Sequence, residues 1–259
     1  MTRANSTPRY LFQQWDDISE RIRASPRVAL LSDFDGTLAR IAAMPHRVRL
    51  SSTTRSALQA LAKNKRATLA VISGRRRNEL QHFIGIQRME YLGLYGWERK
   101  GNARSTSAQS PVARMYLRLL NALVVYPGVW LEPKQFTISV HFLGTSARVQ
   151  RQVRQTVKRL LSPARQSLRV MQNLHDLEIV PAVIKDKGAA IRQFLRAPSL
   201  RHALPIYFGD DLSDEPAFRV VRPGISVLVG KVRRTQAEFY LREPAEVTAA
   251  IAKIERALE

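Results

Sequence analysis

In this 259-residue chain two short apolar runs break off abruptly into acids, and that arrangement restricts the fold more than any other feature. Val28-Ala-Leu-Leu-Ser32 runs into Asp33-Phe-Asp35-Gly36, and Pro205-Ile-Tyr-Phe-Gly209 runs into Asp210-Asp211-Leu-Ser-Asp214-Glu215. An uninterrupted apolar run of strand length has no polar face to give to water. It therefore reads as a strand covered on both sides, the habit of parallel sheets. Residues 67–72, closed by Ser73-Gly74-Arg75, read the same way, as do 89–95 and 224–229. Helical spacing over residues 10–24, 51–63 and 245–258 supplies the covering layers. The expected core is α/β, a Rossmann-like parallel sheet.

The character of the chain changes after Gly101. Residues 102–110 are small and polar and read as a linker, followed by a helical pattern over 112–125. Phe136, Ile138, Val140 and Phe142 then alternate with Thr137, Ser139 and His141, the two-residue period of a half-buried antiparallel strand. A helix over 147–161 and strand-like runs at 168–172 and 177–180 complete an α+β module. The expected organisation is a core of residues 1–107 and 183–259 interrupted by an inserted α+β domain at 108–182.

Composition narrows the chemistry. The absence of cysteine excludes a disulfide framework, a thiolate zinc site and a cysteine nucleophile. His46, His82, His175 and His202 stand in no metal-ligand spacing. The first thirty residues hold charges and no apolar stretch of signal-peptide length, and no run approaches a membrane span, so a cytoplasmic location without membrane insertion is the expectation. The net charge is +21, from 42 Lys and Arg against 21 Asp and Glu. Such a field suits a phosphorylated substrate, a nucleic acid or an anionic surface. The arginines are scattered and form no compact arm interleaved with aromatics. A solvated basic surface on a monomer is the plain reading, nucleic-acid binding is not expected, and a polyanion-binding role stands as an alternative.

The acids carry the chemistry. Asp33 and Asp35 lie two residues apart after a buried strand, with Gly36 letting the backbone turn toward a ligand. One carboxylate beside a divalent cation can attack phosphorus while the other protonates the departing alcohol. Asp210, Asp211, Asp214 and Glu215 crowd four acids into six residues, which is costly without a cation. Oxygen ligands alone point to a hard ion, and Mg²⁺ held by a few carboxylates fits that set. Ser73 and Gly74 after one strand, and Lys187 at a helix start, can hold phosphate oxygens.

These pieces together resemble the haloacid dehalogenase superfamily of aspartate-nucleophile phosphatases and, within it, the trehalose-6-phosphate phosphatase family. The resemblance runs from about residue 29 to 258. It is carried by Asp-Phe-Asp-Gly-Thr-Leu at 33–38, Ala-Val-Ile-Ser-Gly-Arg at 70–75, Glu-Ile-Val-Pro at 178–181 with Lys187-Gly188, and Gly-Asp-Asp-Leu-Ser-Asp-Glu at 209–215. It implies a haloacid dehalogenase-like core with an inserted cap that closes over the sugar. Asp33 would form an aspartyl-phosphate, and Asp35 would serve as acid and then base. Asp33, Asp210 and the Asp35 carbonyl would surround Mg²⁺, with Asp211 and Asp214 as further metal-side ligands. Ser73, Gly74 and Lys187 would hold the phosphoryl group, and Glu132, Lys134 and Glu178 of the cap would bind the sugar. Two positions depart from the family pattern: Leu143 stands where an arginine follows the His-aromatic pair, and Tyr95 where a histidine is usual. The implied substrate is trehalose 6-phosphate, a small sugar phosphate, with another glycosyl phosphate as the alternative.

Overall fold

The computed structural model describes residues 7–42, 44–100, 109–174 and 176–259. Its elements follow in the order β1 (Arg9–Tyr10), α1 (Trp15–Ala24), β2 (Arg27–Ser32), α2 (Ser52–Lys63), β3 (Ala67–Ile72), α3 (Arg77–Ile84), β4 (Met89–Leu92), α4 (Gln109–Leu123), β5 (Trp130–Pro133) and β6 (Ile138–His141). After these come α5 (Ala147–Leu161), β7 (Leu168–Gln172), β8 (Asp176–Pro181), α6 (Lys187–Phe194), β9 (Ala203–Gly209), α7 (Glu215–Val220), β10 (Ile225–Val229), β11 (Phe239–Leu241) and α8 (Pro244–Ala257). The chain separates into two compact units, Met1–Asn102 with Asp186–Glu259, and Ala103–Lys185.

In the first unit seven strands form one parallel sheet in the order β1-β11-β10-β9-β2-β3-β4. Side chains alternate across a strand, and β2 shows what this does here. Val28 and Leu30 face the cluster built with Ile18 and Ile22 of α1, Leu58 and Leu61 of α2, and Ile251 and Ile254 of α8. Ala29 and Leu31 face the opposite cluster with Ile191 of α6 and Phe218 of α7. Both faces are dry, and the strand is buried at every position but its first. The order places β2 beside β9, and from that pair the chain winds away in opposite directions, toward β3 and β4 on one side and toward β10 and β11 on the other. Such a switch point leaves a crevice at the carboxyl ends of the two strands, where ligands bind in open α/β sheets.

The second unit is a four-stranded antiparallel sheet, β5-β6-β8-β7, with α4 and α5 on one face. Ile138, Val140, Leu177 and Ile179 pack onto Met115 and Leu119 of α4 and Val153 and Val157 of α5. The registers pair Trp130 with His141, Glu132 with Ser139, Ser139 with Glu178, and His141 with Asp176, so these alternate residues share the other face.

Several local expectations need correction. The helical pattern at 10–24 starts with a two-residue edge strand and a 3₁₀ turn, and the α-helix begins only at Trp15. The strand expected over 89–95 stops at Leu92, because Leu94 and Tyr95 take left-handed backbone angles that no strand accommodates. The linker expected at 102–110 falls largely outside the described residues, and His175 lies outside them entirely.

Candidate active site

The carboxyl ends of β2 and β9 bring the two acidic motifs together. The Asp33 amide donates to the Phe208 carbonyl at 2.9 Å, which extends the strand pairing to the first catalytic candidate. Gly36 turns the chain away with φ +84°, and any Cβ there would lie 2.1 Å from Asp210 Oδ2. Glycine is thus required by backbone angle and by the close approach of the second motif. Thr37 Oγ1 donates to Asp210 Oδ1 at 3.0 Å and ties the two loops directly.

Asp33, Asp210 and Asp214 each present a carboxylate oxygen within 4.8 Å of the others. One lysine sits among them. Lys187 Nζ donates to Asp33 Oδ1 at 2.6 Å and to Asp214 Oδ1 at 2.7 Å, and its side chain is 3% exposed. It opens α6, whose start is capped by the Asp186 side chain accepting from the Ala189 amide at 2.8 Å. Burial works to lower the lysine's pKa, but the charges of Asp214 and Asp33 outweigh it and hold the ammonium firmly protonated. Asp214 is fully buried and hydrogen-bonded at both carboxylate oxygens. Its Oδ1 accepts from Lys187 and from the Tyr207 hydroxyl at 2.5 Å, and its Oδ2 accepts from the Asp211 amide at 2.9 Å. Burial, followed by the Asp214 and Asp33 charges, pushes Tyr207 well above the usual phenol range, so it stays a donor.

One ammonium does not balance three carboxylates. Burial first, and then the neighbouring Asp214 charge, raises Asp33 to about 7 against the pull of Lys187. Burial with the Asp33 and Asp214 charges likewise lifts Asp210 well above the carboxylate range. A divalent cation among these oxygens would supply the missing charge and reverse both shifts. The donor set, oxygen only and without Cys or His, fits a hard cation.

Asp35 and Asp211 are engaged elsewhere. Arg75 grips Asp35 with two parallel bonds, Nε to Oδ2 at 2.6 Å and Nη2 to Oδ1 at 2.7 Å, and also donates to the Pro45 carbonyl at 2.8 Å. The guanidinium lies 5.7 Å from the Phe34 ring centre and 5.0 Å from that of Phe83, so its position is fixed by packing as well as by bonds. This fork spans forty positions in sequence and no local pattern announced it. Asp211 caps the turn into α7, whose following acid Asp214 bonds back to its amide.

Ser73 is buried at the end of β3 and its hydroxyl accepts from the Arg75 amide at 3.2 Å, which leaves its own proton to donate. Gly74 follows in the same turn. The Ser73 carbonyl accepts from the Tyr95 amide at 2.9 Å. Leu94 and Tyr95 both hold positive φ, 47° and 58°, an uncommon conformation for side-chain-bearing residues, and that bend abuts the serine turn.

The remaining candidates lie on the polar face of the second unit's sheet. Glu178 is buried, and its Oε1 accepts from Thr137 Oγ1 at 2.6 Å and from Lys134 Nζ at 3.4 Å. Glu132 stands 3.8 Å from the same ammonium and 3.0 Å from His141 Nε2. The Trp130 ring stacks on His141 with centroids 3.9 Å apart. Burial tends to lower Lys134, but the Glu178 and Glu132 charges win and raise it. Leu143, at the position where an arginine was expected, is exposed.

Comparison with known proteins agrees with this arrangement. A family model described as trehalose-phosphatase matches residues 31–245. A probable trehalose-phosphate phosphatase 4 of Oryza sativa subsp. japonica is 30% identical over 250 residues, covering 90% of this chain and 67% of the relative. The solved C-terminal domain of a C. albicans trehalose-6-phosphate phosphatase superposes with a TM-score of 0.81 at 19% identity, over 98% of this chain and 99% of that one. A haloacid dehalogenase-like hydrolase from Bacteroides thetaiotaomicron superposes with a TM-score of 0.61 at 15% identity, over 88% and 99% of the two chains, so the parallel-sheet core is haloacid dehalogenase-like. With the family model spanning the stretch from the first acidic motif to the start of the last helix, this chain belongs to the trehalose-phosphatase family.

Proposed function

We propose that this chain hydrolyses trehalose 6-phosphate to trehalose and phosphate through a covalent phosphoryl group on Asp33. The observation that carries the reading is Lys187, which lies 2.6 Å from Asp33 and holds the attacking carboxylate in place inside a dry acid cluster. Asp33 attacks phosphorus, the bond from phosphorus to the sugar oxygen breaks, and a proton held by Asp35 goes to that oxygen. Water then attacks the phosphoryl group, Asp35 takes its proton, and the bond to Asp33 breaks to release phosphate. Arg75 bonds both oxygens of the ionised Asp35; when Asp35 carries the proton, the guanidinium keeps the bond to the other oxygen and so still aims the group. Ser73 and the Gly74 turn donate to phosphoryl oxygens, and the Lys187 ammonium offsets their charge. A magnesium ion held by Asp33 and Asp210, with Asp214 behind them, would supply further positive charge against the anionic phosphoryl group.

The unit Ala103–Lys185 serves in this reading as the specificity domain. Glu132, Lys134 and Glu178 present donors and acceptors at hydrogen-bonding spacing, suited to a ring of sugar hydroxyls. Exposed Leu143 favours a second reading on one point only, since a family arginine lost there leaves room for a different glycosyl phosphate. The deciding experiment is phosphate release with Mg²⁺ across trehalose 6-phosphate, glucose 6-phosphate and sucrose 6-phosphate. Selective turnover of trehalose 6-phosphate is the expected result; selective turnover of another member would keep the mechanism and change the substrate.

A further inference from the structure

The positive charge of the chain is not spread evenly. Residues 103–185 carry twelve Lys and Arg against three acids, and those acids, Glu132, Asp176 and Glu178, share the polar face of the antiparallel sheet. The helices on the opposite face contain no acid at all. The sheet side of α5 is taken by Val153, Thr156, Val157 and Leu161, which turns Arg148, Arg151, Lys158 and Arg159 outward. Among the described residues no carboxylate pairs with any of these four or with Arg118 of α4. A shallow open depression lined by Gln155, Lys158, Arg159, Ser162 and Pro163 lies at the end of this row.

The same layer exposes grease. The core side of α4 is Val112, Met115, Leu119 and Leu123. On its outer side, Leu117, Leu120 and Val124 recur at three- and four-residue steps and are 61%, 43% and 75% exposed, with Val125 beside them. Four of the ten exposed large apolar side chains among the described residues thus fall within nine positions. A single exposed leucine means little, whereas an apolar stripe beside unpaired arginines is a surface built for a partner.

We propose that the α4–α5 face docks the protein peripherally onto an anionic phospholipid surface, with Leu117, Leu120 and Val124 entering the headgroup boundary and Arg118, Arg148, Arg151, Lys158 and Arg159 over the phosphates. Charge decides the partner's sign, because an acid-free face gains from any polyanion. The apolar stripe decides its class. A nucleic-acid backbone gives exposed aliphatic side chains nothing, while the boundary between headgroups and acyl chains takes both kinds of side chain at once. A second copy of the chain would set like charges against each other on the same face.

Flotation of the full-length protein with vesicles of mixed phosphatidylglycerol and phosphatidylcholine, near physiological salt, tests this. The protein is expected to float with the mixed vesicles and to remain behind with phosphatidylcholine alone. The pair Arg118→Glu with Arg159→Glu should lower partitioning by about tenfold or more, taking each cation near the surface at its usual strength. The triple change Leu117→Gln, Leu120→Gln, Val124→Thr should lower it comparably. These side chains are exposed, so both variants should keep wild-type phosphate release, which also reports that they are folded. Absence of flotation, or equal flotation with neutral vesicles, would overturn the proposal. Loss of flotation on charge reversal but none on apolar substitution, with tight binding to random duplex DNA, would replace the bilayer with a nucleic acid. Self-association in sedimentation that the triple change abolishes would assign the stripe to a second copy.

Discussion

Each unit of this protein holds a lysine between two carboxylates, and the two arrangements differ in a way that separates chemistry from recognition. Lys187 meets Asp33 and Asp214 at 2.6 and 2.7 Å with only 3% of its side chain open to solvent. Lys134 meets Glu178 and Glu132 at 3.4 and 3.8 Å, with 23% of its side chain open to solvent. In the first, geometry is set before any substrate arrives, and no partner can be exchanged without leaving a buried charge unbalanced. In the second, the bonds are long enough and wet enough for hydroxyls to enter. Tight, dry triads suit covalent chemistry; loose, half-open ones suit a polyol whose groups replace water.

The largest effect should come from breaking the tight triad at its reacting member. Asp33→Asn keeps shape but removes the proposed nucleophile, and kcat should fall on the order of 10⁴-fold or more with the fold intact by thermal melting. Activity within tenfold of wild type would remove Asp33 from the reaction. Lys187→Met comes next. It leaves Asp33 and Asp214 buried together without a counter-charge, which should cost about 3–5 kcal/mol in chemical denaturation besides most of the turnover. A loss under about 1 kcal/mol would mean that the acids are balanced by something other than Lys187.

The Arg75 fork sharpens the comparison from another side, because it holds Asp35, the proposed acid, rather than Asp33, the proposed nucleophile. Arg75→Lys cannot reproduce two parallel bonds to one carboxylate. Turnover of a sugar phosphate, whose alkoxide leaves only with a proton, should fall about 100-fold, within the usual range for general acid catalysis. Turnover of p-nitrophenyl phosphate, which needs no such proton, should fall far less. Equal losses on both substrates would make Arg75 a purely structural residue.

Much of this was legible in the sequence, and the reason is physical. Strands buried on both faces advertise themselves as apolar runs, so β2, β3 and β9 were found together with the acids and the serine at their ends. The period-two pattern of β6 placed the antiparallel sheet. β5 was missed because Trp-Leu-Glu-Pro has no fully buried position and so no contrast between its faces. β1 and β11 are two and three residues long, too short to show any period. α3 buries only Leu80 and Ile84, one repeat of a helical face, and gave no signal of its own. The contacts that complete the site are long-range: Arg75 reaches Asp35, and Tyr207 reaches Asp214 from inside an apolar strand where its ring reads as core. Side chains that work through distant partners leave no spacing to read.

The acid cluster also makes a pH-dependent prediction. Asp33 is raised from 3.8 to about 7, so the folded protein keeps its proton at pH values where the unfolded chain has lost it. The stability from that group is therefore present below about pH 4 and lost as pH rises toward 7. A cation that binds the ionised cluster opposes this loss. Adding Mg²⁺ to chelator-treated protein should raise the melting temperature by about 5–10 °C at pH 8 and much less at pH 5. A shift of equal size at both values would place the ion away from Asp33.

The smallest effect tests the loose triad. Lys134→Met keeps the length of the side chain and removes the charge that Glu178 and Glu132 hold in place. Thr137 still donates to Glu178 at 2.6 Å and His141 still meets Glu132 at 3.0 Å, so neither carboxylate is orphaned by the change. Stability should move by less than about 1 kcal/mol, in contrast to the Lys187 variant. If Lys134 serves the sugar, KM for trehalose 6-phosphate should rise about tenfold with kcat nearly unchanged, since the lost contact is made in ground and transition states alike. A fall in kcat at constant KM would place Lys134 with the chemistry and erase the distinction between the two lysines.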